Sequence, residues 1–199
     1  MADSSSRDEF LARLRRSAPP GTPLPDLSRL GVRFADPPKQ YAEALAGVGG
    51  TCVRVPDLAG AQRALAGLPQ AAAARKVVAL VPGLGVATID PATISDPHQL
   101  EGLDLAILPG ELAVAENGAV WVDGANLPHR ALFVIAEHLV LVVDAGRVVN
   151  DMHEAYARLA SRAVGYGLFI SGPSKTADIE QALVIGAQGA RSCTVLLVG

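Results

Sequence analysis

The sequence contains little cysteine: of its 199 residues, only Cys52 and Cys193 are cysteines, and each lies inside an apolar run. Two cysteines so far apart exclude a disulfide framework and the closely spaced cysteines that hold an iron–sulfur cluster. His129 and His138 show no metal-ligand spacing with a cysteine, a carboxylate or another histidine. The sequence therefore predicts no metal site, and it leaves the cofactor unknown.

Positive charge is not in excess either. The chain has a formal net charge of -3 at pH 7, and its pI lies near 5.8. Proteins that bind nucleic acid gather Lys and Arg in excess on one surface, because that surface must meet phosphate groups. We therefore expect no nucleic-acid partner.

Long apolar runs are absent from the sequence. No stretch reaches the roughly 18 consecutive apolar residues that indicate a transmembrane helix. The first 20 residues, MADSSSRDEFLARLRRSAPP, are charged throughout and lack the apolar centre of a signal peptide. We expect a cytoplasmic protein with no membrane partner.

Hydrophobic residues are abundant, at 50% of the sequence, and they predict one folded domain preceded by a short arm. Phe10, Leu11 and Leu14 recur on one face of a predicted helix, which ends at the proline-rich stretch SAPPGTPLPD. We interpret residues 1–25 as a helical arm and linker, and residues 26–199 as the domain.

Within the domain, helical patterns alternate with strand-like apolar runs. The predicted helices are PPKQYAEALAGVGG, PDLAGAQRALAGL, NDMHEAYARLASRA and KTADIEQALVIG. The predicted strands are TCVRV, RKVVALVPG, LDLAILPG, AVWV, HLVLVV, YGLFISG and SCTVLLVG. Continuous apolar runs separated by helices are typical of parallel strands that are covered on both faces. The sequence therefore predicts an α/β fold, a mainly parallel sheet with helices on both sides.

The segment ISGPSKTADIEQALVIGAQG, residues 170–189, combines turn residues with a helical pattern. A buried strand runs into Gly172, and Ser174 and Thr176 can cap the helix predicted after it. At the carboxyl edge of a parallel sheet, the free N–H groups of such a helix start bind anions, and Lys175 would add a positive charge. The predicted ligand-binding residues are Gly172, Pro173, Ser174, Lys175, Thr176, Asp178 and Glu180. A well-capped turn with an ordinary surface lysine explains the same pattern.

Two residues are candidates for catalysis. Glu116 stands just before an Asn-Gly turn between two strand-like pieces, where a carboxylate can act as a general base or a covalent acceptor. His138 stands at the start of the most apolar strand. Structural roles remain open for both, because Glu116 also suits a polar hairpin position and a histidine at a strand start often makes a local hydrogen bond.

Three stretches taken together resemble the LUD (lactate utilisation) domain family, and within it the LutC-like and YkgG-like single-domain proteins. They are AENGAVWVDG, EHLVLVVDAGRVVNDMHEAYARL and ISGPSKTADIEQALVIGAQGARSCTVLLVG. The resemblance is strong over residues 104–199 and loose before them, and GPSKTADIE is its most specific part. It implies the three-layer α/β/α fold of the NagB, RpiA and CoA-transferase group.

The match to the family has departures. Glu116 begins a match to the family's acid-Thr-Gly stretch, in which Asn117 replaces the usual threonine, and His138 matches the histidine that opens its long apolar strand. Gln188 and Ala190 stand where the family commonly has His and Pro. Because an amide cannot titrate, a site that used that histidine as an acid or base would be impaired.

The resemblance implies a component or accessory of L-lactate utilisation, the oxidation of lactate to pyruvate. Its partners would be iron–sulfur subunits of that system, and its ligand a small anion or a phosphate-bearing molecule. One alternative is a CoA or acyl transferase in which Glu116 accepts the acyl group. Another is an interaction module without chemistry, since a fold does not dictate a function.

Overall fold

The computed structural model describes residues 4–18, 21, 30–160, 165–176 and 182–199. The chain divides into two compact units, Met1–Leu30 and Gly31–Gly199. In the first unit, helix α1 spans Ser4–Ser17, where the sequence predicts the helical arm. The domain boundary after residue 25 stays a prediction.

The second unit contains four α-helices and eleven strands in its described residues. The helices are α2 (Pro37–Gly47), α3 (Leu58–Ala66), α4 (Pro69–Ala73) and α5 (Met152–Leu159), with short 3-10 helices at Pro91–Thr93, Pro97–Leu100, Gly124–Asn126, Arg130–Phe133 and Ala145–Arg147. The first six strands are β1 (Thr51–Val55), β2 (Val77–Ala79), β3 (Leu105–Pro109), β4 (Leu112–Val114), β5 (Ala119–Asp123) and β6 (His138–Asp144). The others are β7 (Val148–Val149), β8 (Gly167–Ile170), β9 (Lys175–Thr176), β10 (Val184–Ile185) and β11 (Ser192–Val198).

Aspartate side chains define where three of the helices begin. Asp36 before α2, Asp57 before α3 and Asp151 before α5 each accept a hydrogen bond from a backbone N–H three residues further on. This satisfies a donor that the first helical turn would otherwise leave free. The capping positions therefore follow directly from the local sequence.

The central sheet has the strand order β1-β11-β6-β3-β2, and all of its strand pairs are parallel. Its two middle strands, β6 and β11, are almost completely buried. Their continuous apolar runs follow from this position, because a parallel strand covered on both faces has no solvent side. The predicted α/β fold with a mainly parallel sheet is confirmed.

Different elements cover the two faces of the central sheet. On one face, Leu65 of α3 packs with Leu105, Ile107 and other apolar side chains of the strands. On the opposite face, Tyr41 and Leu45 of α2 lie in a larger core. That core also takes in side chains of a second sheet, so a layer of mixed composition stands where the sequence predicts helices alone.

The second sheet has four strands in the order β7-β4-β5-β8. β4 and β5 form an antiparallel hairpin, β7 adds to β4 in parallel, and β8 adds to β5 antiparallel. Leu159 of α5 packs with Trp121 and other side chains on one face of this sheet. Two strands of the second sheet, β4 and β5, are buried on both faces, so their sequences do not alternate between apolar and polar residues. The sequence pattern therefore does not distinguish them from strands of the central sheet.

Two predictions about residues 167–186 are wrong. The run YGLFISG was expected to end at the carboxyl edge of the parallel sheet, but β8 is an antiparallel strand of the second sheet. The helix predicted from KTADIEQALVIG is replaced at both of its ends by a two-stranded ladder, β9 with β10. Thr176, Val184 and Ile185 have β-branched side chains that favour strands, and this outweighs the helical spacing at these ends.

Candidate functional site

Gly172 and Pro173 form a buried corner against the end of α2. Gly172 has a φ of +73°, and a Cβ atom there would lie 2.8 Å from the carbonyl oxygen of Val48. A Cβ added to Gly50, next to the start of β1, would lie 3.3 Å from the Cα atom of Gly172. The corner therefore lies beside the amino end of the central sheet, whereas the sequence prediction placed it at the carboxyl edge.

Ser174 connects this corner to the segment before β11. Its backbone N–H donates to the carbonyl oxygen of Ala190 at 2.8 Å, and its own carbonyl accepts from the N–H of Gly186 at 3.0 Å. These groups serve the β9–β10 turn region and do not begin a helix. The predicted helix cap at Ser174 and Thr176 is thus wrong, because Thr176 pairs with Val184 in an antiparallel ladder.

The remaining predicted ligand-binding residues are Lys175, Asp178 and Glu180. Lys175 is exposed, and its Nζ atom lies 3.7 Å from the position that a Cβ atom on Gly49 would take. Its positive charge stands near the last carbonyl groups of α2, where the helix dipole favours a cation. Among the described residues, no carboxylate forms an ion pair with Lys175. Asp178 and Glu180 lie outside the described residues.

Beneath the corner lie a buried thiol and a buried phenol. Burial raises the pKa of Cys193 to about 12, and a hydrogen bond from the backbone of Gly172 only partly opposes that rise. Burial also raises the pKa of Tyr41, and the neighbouring Cys193 and Cys52 raise it further. Because the thiolate is the reactive form of cysteine, Cys193 is a packing residue and not a nucleophile.

Glu116 lies in the loop between β4 and β5, where it is exposed. Its Oε2 atom accepts a hydrogen bond from the N–H of Met152, the first residue of α5, at 3.0 Å. Its own N–H donates to the carbonyl oxygen of Asn150 at 3.0 Å. A carboxylate is stabilised at a helix N-terminus, so this geometry gives Glu116 a structural task in holding α5 to the hairpin.

His138 is the first residue of β6, and it faces Ser192, the first residue of β11, in the register of the sheet. Its Nδ1 atom lies 2.8 Å from Ser192 Oγ. Sequence reasoning missed Ser192, although both residues open apolar strands. A histidine bonded to a hydroxyl can act as a base, but it can equally hold two strand starts together.

The structure brings some of the predicted site residues together and keeps others apart. Ser171 Oγ donates to the carbonyl oxygen of Asn117 at 2.7 Å, so the Glu116 loop and the Gly172 corner are neighbours. None of the hydrogen bonds or ion pairs between described residues joins Glu116, His138 and Lys175 to one another. The three side chains are therefore not assembled as one catalytic group by direct contacts.

A cleft of about 580 Å³ lies at the amino edge of the central sheet, where its lining includes the residues just before His138 and Ser192. Its walls are residues 102–104, the stretch 131–137 apart from Leu132 and Phe133, and the stretch 186–191 apart from Ala190. Gln188 is among them, at one of the positions where the sequence departs from the family's pattern. The cleft could not be read from the sequence, because its walls come from three distant parts of the chain.

Comparison with known proteins places the chain in a family. The family model described as the LUD domain matches residues 93–198. A lactate utilization protein C from Shouchella clausii is 30% identical over 107 residues, which are 51% of this chain and 46% of that protein. Another, from Deinococcus radiodurans, is 33% identical over 104 residues, 51% of this chain and 49% of that protein. The chain thus covers about half the length of these curated relatives.

A solved structure supports the same fold. The crystal structure of a DUF162 family protein from Deinococcus radiodurans matches with a TM-score of 0.60 and 19% sequence identity, over 84% of this chain and 99% of that one. In the part of the chain that the structure describes, no helix has the length and apolar character needed to cross a membrane. Since the family model covers more than half of the residues, including β3 to β11, the chain belongs to the LUD domain family.

Proposed function

We propose that this LUD domain takes part in lactate utilisation, as a component or accessory of the oxidation of L-lactate to pyruvate, and that it binds a small anion or phosphate-bearing ligand at Lys175. The observation that supports the role most directly is the similarity to curated proteins named lactate utilization protein C. The iron–sulfur subunits of such a system would be its partners, since this chain has only two cysteines.

The geometry around Lys175 supports the ligand part of the proposal. Gly172 and Pro173 are buried, so they form a rigid base and are not themselves open to a ligand. Lys175 follows that base and is exposed. With no carboxylate paired to it among the described residues, the ammonium is open to an incoming anion.

Growth on L-lactate tests the role. We expect clean deletion of the gene, in a cell with no paralogue, to prevent growth on L-lactate as the carbon source, and the wild-type gene to restore it. Lys175→Gln should restore growth poorly if the anion is needed. Lys39→Gln is the matched control, because Lys39 is an exposed lysine on α2 with only a 3.9 Å contact to Glu43. Normal growth of the deletion strain would contradict the proposal.

Copurification tests the partners. We expect the tagged chain to retain iron–sulfur subunits of lactate oxidation from cells grown on lactate. Retention should be lost on glucose if those subunits are not made. Purification of the tagged chain without these subunits under both conditions would contradict the proposed partners.

The acyl-transferase alternative rests on the exposure of Glu116. Only its Oε2 atom has a hydrogen-bond partner among the described residues, so Oε1 could accept an acyl group. Incubation with acyl-CoA thioesters followed by mass spectrometry of the Glu116 peptide tests it. An adduct that Glu116→Gln abolishes would support transferase chemistry, and its absence would leave the carboxylate as the anchor of α5. An interaction module without chemistry would show no thermal shift with phosphate, nucleotides, CoA or organic acids.

A further inference from the structure

The cleft at the amino edge of the central sheet has a fixed ion pair at its wall. Arg191 Nη1 donates to Glu137 Oε1 at 2.8 Å. The backbone N–H of Arg191 also donates to the carbonyl oxygen of Glu137 at 2.8 Å. The two residues are therefore held together by main chain and side chain at once, and both line the cleft.

Gly186 holds the Arg191 side chain from the other side. It has a φ of +82°, and a Cβ atom there would collide with the Cγ atom of Arg191. Only glycine lets the backbone lie so close to the arginine stem at this backbone angle. Packing thus restricts the first carbons of the Arg191 side chain, and the ion pair to Glu137 directs its exposed guanidinium. Both restrictions lower the entropy that the side chain would lose on binding a ligand.

The segment 186–190 is positioned by the corner described above. The carbonyl oxygen of Ser174 accepts a hydrogen bond from the N–H of Gly186. The N–H of Ser174 donates to the carbonyl oxygen of Ala190, so Ser174 holds both ends of this segment. A Cβ atom on Gly189 would lie 3.1 Å from the Cβ atom of Ser174. Ser174 therefore helps to position one wall of the cleft, although that wall is lined by residues of the segment 186–191 and not by Ser174 itself.

The charges of the cleft are mixed. Arg191 is matched by Glu137 and by a second carboxylate, Asp104, on the lining. Backbone N–H groups of Lys76 and Arg75 bond to Asp104 and lower the pKa of that carboxyl, so it is ionised at neutral pH. Asp104 also feels the positive charges of Arg75 and Lys76, so the cleft has charges of both signs. Charges of both signs favour a ligand that itself carries both over one that carries only negative charge.

Donors and apolar surface are both present for a ligand with two charges. A guanidinium has five N–H donors, and among the described residues only the bond to Glu137 uses the Arg191 side chain. Leu103, Val134 and Ile135 provide apolar lining, and Val134 is 51% exposed. The cleft thus has donors that can bind a ligand's carboxylate, a carboxylate that can bind a ligand's cation, and an apolar wall. Its volume of about 580 Å³ is typical of small-molecule sites.

We propose that this cleft binds a zwitterionic α-amino acid with an aliphatic side chain. Its carboxylate bonds to the free N–H groups of Arg191, its ammonium lies against the Glu137 carboxylate, and its side chain contacts Val134 and Ile135. The proposal does not rest on the role in lactate utilisation or on Lys175. It concerns the surface around Arg191 and Glu137, not the exposed side chain of Lys175.

Calorimetric titration of the full chain with three matched probes tests the proposal. L-leucine carries both charges, 4-methylpentanoate lacks the ammonium group, and 3-methylbutylamine lacks the carboxylate. We expect L-leucine to bind on the order of tenfold more tightly than either analogue, since each lacks one charged hydrogen-bonding group. Equal or tighter binding of 4-methylpentanoate would overturn the proposal, and so would the absence of binding by L-leucine.

Variants locate the site. Arg191→Gln should abolish the preference for L-leucine over the amine, and Glu137→Gln should abolish its preference over the acid. Arg63→Gln on α3 is the control, because Arg63 is exposed and does not line the cleft. Thermal unfolding verifies that each variant folds. L-leucine binding that persists unchanged in both folded cleft variants would overturn the proposal, while loss in Lys175→Gln alone would place the ligand at the other surface.

Discussion

The corner at Gly172–Pro173 and the segment 186–191 lie side by side at the amino edge of the central sheet, and glycine lets a different kind of group come close in each. Gly172 is buried with a backbone carbonyl 2.8 Å from where its Cβ would be. Gly186 leaves room for the Arg191 side chain and Gly189 leaves room for Ser174, and both glycines line the cleft. The turn residues at Gly172–Pro173 therefore serve packing, while the surface that can bind a ligand lies on the segment 186–191 that they help to position.

Gly172→Val should have the largest effect. The positive φ is strained for any side chain, and a β-branched one would also meet the carbonyl of Val48, so we expect the free energy of unfolding to fall by roughly 3 kcal/mol or more. Urea unfolding measures it. Gly165→Val is the control, because nothing lies within 4 Å of a Cβ atom at Gly165. Equal losses in the two variants would break the comparison, since the corner would then not be a packing site.

Glu116→Ala should have an intermediate effect. The carboxylate bonds to the N–H of Met152 at the start of α5, so its removal should lower the free energy of unfolding by about 1 kcal/mol. Glu43→Ala is the control, since Glu43 makes only an exposed contact to Lys39. A loss in Glu116→Ala no greater than in the control would contradict the anchoring role.

Asp104→Asn should change how stability depends on pH. Backbone N–H groups lower the pKa of Asp104 in the folded chain, so its stabilising contribution is present above the ordinary aspartate pKa of about 4 and is lost as pH falls through the folded pKa. The wild-type chain should therefore lose more stability than the variant on acidification below about pH 4. Parallel pH profiles for the two proteins would show that Asp104 is not held as the cleft geometry requires.

Lys175→Ala should have the smallest effect on stability. The side chain is exposed, and a cation near a helix C-terminus contributes only about 0.3 to 1 kcal/mol. Its binding effect should be larger, with the affinity for a small anion falling by on the order of 1 to 3 kcal/mol if the ammonium contacts it. Unchanged binding of phosphate and lactate in the variant would contradict an anion site at Lys175.

Strands of the central sheet could be predicted because their chemistry is local. HLVLVV and SCTVLLVG are apolar apart from His138, Ser192 and Thr194, and such runs suit strands covered on both faces. The aspartates before α2, α3 and α5 likewise mark helix starts within three residues of the groups they bond. Each of these features depends on near neighbours in sequence.

The candidate site could be predicted only in pieces. Glu116, His138 and Lys175 were identified as polar residues beside apolar strands, but the partner of each lies far away in sequence: Ser192 is 54 residues from His138, and Met152 is 36 residues from Glu116. The ion pair between Glu137 and Arg191 also joins residues 54 apart. No local pattern could indicate these pairs.

The sequence alone was enough to identify the family, the strands of the parallel sheet and the helices α2, α3 and α5, because each follows from side chains close together along the chain. The fold was needed to show that β8 belongs to a second sheet, that Lys175 begins a short strand, and that Arg191 pairs with Glu137 at the wall of a cleft. These outcomes depend on which distant surfaces meet, and burial and backbone pairing across those surfaces outweigh the weak local preference for a helix.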